Sequence, residues 1–445
     1  GLRGRRVNQD AFFTLAEQLH RELRGDEILF CNLQGENSDF VRLNRNRIRQ
    51  AGSVHRRSLD LHLIAGRRQA EGGCGLGGER GQDLAAARDL MAKLRARIAH
   101  VPEDPYLHYS TTPARSDRRL GAELPESAGI IAELNEQARG LDLVGIWASG
   151  EVVSGLASSL GHRHWHSSAS FNLDFSCHLN KDKAVKIGYS GFTWEAAKLR
   201  GKIESARRGL DLMQRPARTI QPGRYRAYLA PAAVLELTDM LAWGGFGLKD
   251  HRTNQTPLLR MVRGERTFDR SIRMREEHAR GLVPAFTPEG FPKPDEVRLI
   301  EDGACADCLV DSRSSKEFGI AVNAAAEYPE SLAIDPGNIP RAEAMARLDR
   351  GLFVGNLWYL NYADRNDCRI TGMTRFGTYW VENGAPQAPV EVMRFDDSLY
   401  DLFGDRLEGL TRERELILSA DTYGGRSTAS HLLPGMLLSG IELAM

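Results

Sequence analysis

Three histidines alternate in Gly161-His-Arg-His-Trp-His166, which gives His162, His164 and His166. On a strand, alternate residues share one face, so three imidazoles would project together. Such a set suits zinc, copper or nickel. His178 lies an even number of residues further along, on the same nominal face if the strand runs unbroken. The plainer reading is a surface or interface strand that happens to be rich in histidine. A His-x-His pattern without a fourth partner does not decide between the two. Cys305-Ala-Asp-Cys308 has the spacing of a zinc or redox pair. A structural zinc site needs a second pair or two histidines at set spacing, and Cys31, Cys74, Cys177 and Cys368 supply none. A redox role needs the pair to open a helix in a thioredoxin-like unit. Here it follows Ile300-Glu-Asp-Gly303, which reads as a hairpin turn, so both cysteines are assigned to strands.

Two other stretches could bind ligands. Gly72-Gly-Cys-Gly-Leu-Gly-Gly78 invites a phosphate-loop reading. It lacks both the Gly-Lys-Ser/Thr ending of a P-loop and the Gly-x-Gly-x-x-Gly order, so a flexible turn between strand and helix is the simpler assignment. Trp358, Tyr359, Tyr362, Tyr379 and Trp380 form an aromatic cluster that could stack on a peptide or nucleobase, although core and sheet-face packing is the commoner use. Asn356, Asn361, Arg375 and Glu382 are the polar residues among them.

The same region reads Val354-Gly-Asn-Leu-Trp-Tyr-Leu-Asn-Tyr362, Ile370-Thr-Gly-Met-Thr-Arg375 and Gly377-Thr-Tyr-Trp-Val-Glu-Asn-Gly384. This run resembles the C-terminal signature of the TldD/PmbA family, bacterial and archaeal proteins related to zinc peptidases. The resemblance covers most of the chain from about Glu27 onward and is specific in the C-terminal third. Catalytic members carry a helix reading His-Glu-x-x-x-His, in which two imidazoles hold zinc and the Glu polarises its water. No such pattern occurs here. The best place to lay it is Ala230-Pro-Ala-Ala-Val-Leu-Glu-Leu-Thr-Asp-Met-Leu-Ala-Trp-Gly-Gly245. There the histidine positions fall on Thr238 and Trp243 and the Glu position on Asp239. Slippage by a residue does not restore the motif, since no His lies between His178 and His251. Asp239 keeps an acid but has no metal-bound water to activate.

The resemblance implies further expectations. Asn356, Trp358, Tyr359, Asn361, Arg375, Trp380 and Glu382 would line the substrate-facing wall. Cys368 lies where catalytic members recruit a third ligand, but it has no metal to complete. The chain resembles the PmbA/TldE-type member without the zinc motif, so no cofactor is expected. It would be a non-catalytic subunit that helps enclose a chamber where unfolded or leader peptides are cut. Its partner would be itself, as a homodimer, or a catalytic TldD-type subunit. Two alternatives remain: a metal-dependent peptidase using His162, His164 and His166, or a non-enzymatic peptide-binding scaffold dimer.

Composition bounds the rest. With 445 residues and 49.5 kDa, the chain is too long for one compact core, so two or three domains are expected. Apolar content of 42% and charged content of 27% describe an ordinary soluble globular protein. Basic and acidic side chains balance at 59 each, which offers no electrostatic footprint for nucleic acid. That weighs against a literal reading of the family's older label, modulator of DNA gyrase. No apolar run approaches the ~20 residues needed to cross a bilayer, and no signal-peptide core stands near the start. Gly1 in place of Met reads as a cloning remnant. Six scattered cysteines read as reduced thiols of a cytoplasmic protein.

Periodicity then places the elements. Helices are predicted over Ala11 to Leu23, Gln82 to Ile98, Ser127 to Ala138 and Thr193 to Met213, each with apolar residues at helical spacing. Glu27 to Gln50 reads as two strands joined near Glu36-Asn37-Ser38, and Leu59, Leu61 and Leu63 mark a half-buried strand. Residues 101–125 carry four prolines and read as a surface loop or linker, and strands dominate from Leu141 to Tyr189. The prolines between Pro216 and Pro222 mark the main boundary. The fold class is therefore α+β. Residues 1–216 form a mixed α/β region with helices on a sheet. Residues 217–445 form a strand-rich, barrel- or sandwich-like domain with helices near Ala232–Trp243 and Ser398–Phe403. The glycine turn at Asp421-Thr-Tyr-Gly-Gly425 leads into a last strand from Leu432 to Leu443.

Overall fold

The computed structural model describes residues 8–121, 124–180 and 183–445, and Gly1 lies outside them. Helix α1 (Gln9–Arg21) precedes a meander of long strands, β1 (Ile28–Asn44), β2 (Arg47–Ala65) and β3 (Arg68–Gly75). Then come α2 (Arg80–Ile98), β4 (Arg115–Leu120), α3 (Ser127–Gln137), β5 (Asp142–Ser158), β6 (Arg163–Asn180), β7 (Lys183–Gly191) and α4 (Ala196–Met213). The strands form one sheet in the order β3-β2-β1-β5-β6-β4, with β7 on the far part of β6. All neighbours are antiparallel except β4 and β6.

The two-residue period of a strand sorts this sheet into two faces. Odd-numbered residues of β1, β5 and β6 meet the helices. Leu29, Leu33, Val153 and Trp165 pack with Phe12, Leu19, Leu90 and Leu94 of α1 and α2. Leu43, Trp147 and Phe171 pack with Leu134, Leu199 and Ile203 of α3 and α4. Trp147 is fully buried, stacks on Phe171 at 5.5 Å and donates its indole N–H to Ser127 Oγ at 3.1 Å. Even-numbered residues, among them Phe30 and Leu156, face the second half of the chain through Phe286.

That second half starts with β8 (Gly223–Leu229), α5 (Pro231–Ala242) and two short helices, α6 (Leu248–Arg252) and α7 (Leu259–Val262). It continues through β9 (Met274–Glu276), β10 (Val297–Glu301), β11 (Ala304–Cys305), α8 (Ser312–Phe318), β12 (Ser331–Ile334), a 3-10 turn (Arg341–Glu343) and α9 (Ala344–Leu348). The last elements are β13 (Gly351–Val354), β14 (Trp358–Asp364), β15 (Arg369–Met373), β16 (Thr378–Glu382), β17 (Ala385–Pro389), β18 (Arg394–Ser398), α10 (Leu399–Leu402), β19 (Leu407–Leu418) and β20 (Ser430–Ala444). The second sheet runs β11-β10-β9-β12-β20-β8-β13-β16-β17, and β20 also pairs with β18 and β19. The last strand is thus its hub. The expected α+β class with a strand-rich second half is observed, but neither sheet closes into a barrel. Among the described residues, no helix is long and apolar enough to cross a membrane.

The two halves meet through a buried arginine. In the loop before β20, Arg426 donates to Gly150 O at 3.2 Å and Ser170 Oγ at 2.8 Å, and its own backbone N–H donates to Glu36 Oε2 at 3.3 Å. Glu36, Asn37 and Ser38 are buried at this seam. This corrects the reading of a turn at Glu36-Asn37-Ser38. The chain runs straight through as β1, paired on both sides, and turns instead at Arg45 and Asn46, with φ of 50° and 54°. Both central residues at positive φ fit a tight hairpin of the twist-matched kind.

Residues 101–125 are also corrected in part. The stretch 115–120 is a strand, β4, held because Ser116 reaches His164 and Arg118 donates to the carbonyls of His278 and Ala279. The glycine run is likewise more ordered than a flexible turn, since Gly72 to Gly75 belong to β3. A Cβ at Gly73 would meet only the tip of the Asp60 side chain at short range, with the nearest backbone atom at 3.6 Å. Finally, Cys305 is on β11 as expected, but Cys308 lies beyond the strand, with Sγ 3.3 Å from His251 Nδ1.

Candidate functional site

Helix α5 carries the positions where the zinc motif would lie. Pro231 at its first turn needs no N–H partner and presets the helical φ. Ala233, Val234, Leu237 and Leu241 bury one face in the main core of the second half. The helix stops at Trp243, where Gly244 takes φ of 83° and Gly245 N–H returns to Leu241 O at 2.9 Å.

The three motif positions diverge. Thr238 is fully buried, and its hydroxyl donates to Leu235 O at 2.8 Å. Trp243 is 61% exposed and lies at the helix end. Its indole offers only an N–H donor and cannot ligate a metal. Asp239 is half exposed, with Oδ1 3.2 Å from Nε2 of His431 on β20. One turn back, burial lifts the Glu236 carboxyl above its usual range, and Asp239 adds to the shift. Thr238, Asp239 and Trp243 therefore do not fit a zinc ion. Cys368 does not repair the set. It is fully buried, and burial pushes its thiol up to about 12.

Beyond the helix end, Trp243, Asn361, Tyr362, Asp250, Gln255 and Arg365 line a cavity of about 480 Å³. Tyr362 donates to Met240 O at 2.5 Å. The Arg365 guanidinium lies 5.5 Å from the Trp243 ring and 5.1 Å from the Tyr362 ring, and donates to Trp243 O at 2.8 Å. This clamp fixes the aromatic wall through cation–π contact and charge-assisted hydrogen bonds.

The seven residues expected to form a substrate-facing wall fall into separate groups. Asn361 is in the cavity just described. Trp358 and Tyr359 are exposed on β14, and the Arg375 guanidinium sits 4.6 Å over the Trp358 ring. Tyr359 has φ of 57°, an uncommon conformation for an aromatic residue. Asn356 is half-buried in the turn before β14. Trp380 is buried on β16, packed against Tyr225 and beneath Arg218, and Glu382 is 3.5 Å from Arg218. Trp380 and Glu382 thus form one cluster with Arg218, and Trp358, Tyr359 and Arg375 form another.

His162, His164 and His166 do share a face, the one covered by the second half of the chain. Each is buried, and each spends one ring nitrogen locally. His162 Nδ1 is 2.6 Å from Ser158 Oγ, His164 Nδ1 is 2.7 Å from Ser116 Oγ, and His166 Nε2 donates to Leu282 O at 2.9 Å. Phe286 stacks on His164 at 4.7 Å, and Gly290 backs His162 Nε2 so closely that a Cβ there would stand 2.8 Å away. Burial holds all three below the usual imidazole range, His164 and His166 at about 4. Among the described residues, no group of three or more His, Cys, Asp or Glu is placed to hold a metal ion. The strand is buried beneath the second half of the chain, and the remaining ring nitrogens, His162 Nε2, His164 Nε2 and His166 Nδ1, are buried without a hydrogen-bond partner among the described residues.

Sequence reasoning missed His431 and Arg365. Both come from strands or loops far along the chain from α5, and neither carries a local pattern that would single it out.

Comparison with known proteins fits this architecture. Residues 222–445 match the family described as the PmbA/TldA metallopeptidase C-terminal domain. The fold is similar to TldE from Thermococcus kodakarensis, with a TM-score of 0.75 at 13% identity, covering 98% of this chain and 100% of that one. It is also similar to a proposed modulator of DNA gyrase from Thermotoga maritima, with a TM-score of 0.72 at 14% identity, covering 98% and 99%. A counterpart from Bacteroides thetaiotaomicron gives the same score and identity, covering 98% of each chain. No curated protein matches in sequence. At such identities the structures speak to fold alone, and it is the domain match over half of the residues that assigns the chain to the PmbA/TldD family.

Proposed function

We propose that this chain is a PmbA/TldE-type member that lacks the peptidase zinc site and serves as a non-catalytic subunit in the proteolysis of unfolded or leader peptides. One observation carries the reading: Thr238 is sealed in the core with its hydroxyl bonded to Leu235 O, while Trp243 stands exposed. Without two converging imidazoles there is no bound metal and no activated water. The chain forms a homodimer when alone, or pairs with a catalytic TldD-type relative, burying more than ~1,000 Å² in total. The described cysteines are all free thiols, which suits a reducing, cytoplasmic setting.

A single set of experiments tests this. The purified chain should run as a dimer by light scattering and leave casein intact. It should show no zinc-edge anomalous peak within about 2.0–2.2 Å of Asp239. Mixed with a catalytic relative, it should support cleavage. A monomer, or chelator-sensitive proteolysis by the pure chain, would overturn the proposal.

A further inference from the structure

A larger cavity lies away from the α5 helix end. It is a groove of about 1010 Å³ between α4, the start of α5 and the strand β19. Its charges are unbalanced. Lys198 is paired with Glu195, and Lys202 with Glu415. Arg208 and Arg341 line the same groove, and no carboxylate lies within ion-pair reach of either guanidinium among the described residues.

Two uncharged features add to this. Tyr228 lines the groove, is only 4% exposed, and its hydroxyl has no hydrogen-bond partner among the described residues. That hydroxyl is therefore free to donate to a group that enters the groove. Beside it, α5 begins without a side-chain cap, leaving its positive end open to the groove.

Gly201 gives an independent indication. It stands in the interior of α4, where glycine costs about 1 kcal/mol relative to alanine. A Cβ there would meet nothing within 4 Å, so packing does not require a glycine. The missing side chain keeps the groove wall open. Phe192, Phe353 and Met345 supply apolar surface along it.

We propose that this groove binds the C-terminal end of a short apolar peptide, with its carboxylate received among Arg208, Arg341 and the Tyr228 hydroxyl. A peptide fits better than a simple anion because Phe192, Phe353 and Met345 continue the groove with apolar surface beside the cations. The inference rests on the peptide-handling reading above, but it is tested by binding and needs no catalytic partner.

The test uses the full chain and an N-acetylated tetrapeptide of alanine and leucine, as the free acid and as the C-terminal amide, followed by calorimetry. The free acid should bind, and the amide or the Arg341→Gln variant should bind about 10-fold more weakly or worse, since a charge-assisted contact is lost. Gly201→Leu should abolish binding while the melting temperature holds or rises, because α4 gains a better helix former. Equal binding of acid and amide, unchanged binding by Gly201→Leu, or displacement of the peptide by an equal concentration of inorganic phosphate would each overturn the proposal. Failure here with intact support of cleavage would sink the groove alone. Loss of the cleavage effect with intact binding would sink the subunit role alone.

Discussion

Thr238 shows how one residue can close off a chemistry. Its side chain is fully buried in the core, and its hydroxyl is satisfied within the helix. Writing histidines back at Thr238 and Trp243 should therefore not rebuild a metal centre. The Thr238→His, Trp243→His double variant should lose about 1–3 kcal/mol of stability through overpacking, and bind no stoichiometric zinc. Denaturant melts and metal analysis check both halves of that statement. A stable variant with one tightly held zinc would mean that the helix end can reorganise more than its packing suggests. At this scale the sequence was a good guide to what is absent, because ligand chemistry depends on residue type. It was a poor guide to what surrounds the absence. His431 lies on a distant strand yet meets Asp239, and the Arg365 clamp spans more than a hundred residues of chain. Such neighbours follow from topology and leave no local pattern.

Among the elements, the histidine-bearing strand has the clearest energetic consequence. His164, His166 and His278 are buried, and burial lowers each to about 4 from an ordinary 6.5. Arg118 and Lys293 lower His166 further, Lys293 and Arg118 do the same for His278 against an opposing Glu330, and His162 adds to the lowering of His164. The folded state thus favours neutral rings, while the unfolded chain takes up protons below pH 6.5. The resulting stability is complete above that pH and is lost as pH falls toward 4. Glu276 works in the opposite sense. Burial raises it to about 7, so its contribution is present at low pH and fades as pH rises toward 7. A tenfold difference in proton affinity between folded and unfolded chain is worth about 1.4 kcal/mol, so three imidazoles outweigh one carboxyl and the net direction is a loss on acidification. The urea midpoint should hold or rise slightly between pH 7.5 and pH 6.5 and then fall toward pH 5, more shallowly in His164→Phe. A flat profile would show that these rings are accessible to protons in the fold. The helices over the sheet were legible to within a few residues, because their apolar spacing is dictated by a single buried face. Strand β1 was not, because Glu36, Asn37 and Ser38 look like a turn and are in fact buried against residues beyond position 400.

At the scale of the whole molecule, Arg426 joins the halves. It is a buried cation whose partners, Gly150, Ser170 and Glu36, all belong to the first sheet. Burial pulls the guanidinium down to about 10, and the Glu36 carboxylate opposes that change. Removing the guanidinium takes the donor from Gly150 O and Ser170 Oγ and the nearby positive charge from the buried Glu36 carboxylate. Arg426→Ala should cost about 3–5 kcal/mol, far more than the usual surface substitution. Arg426→Ala combined with Glu36→Gln should recover part of the loss. Equilibrium unfolding of the two variants checks both. If the single change costs under about 1 kcal/mol, the seam must be hydrated. The α+β class and the strand-rich second half were legible from turn spacing and alternation. The order of strands, and the choice of β20 as hub, depend on pairings between distant segments that no window of sequence contains.

The position of that hub sets an order of events during synthesis. Translation proceeds from the N-terminus, so β8, β12, β18 and β19 all emerge before the strand that pairs with each of them. Glu36 is likewise made nearly four hundred residues before Arg426. Until residues 426–445 leave the ribosome, the second sheet has no centre and Glu36 has no Arg426 beside it. A nascent chain held just short of position 426 should remain sensitive to protease throughout its second half. A chain that includes β20 should become resistant in a single step upon release.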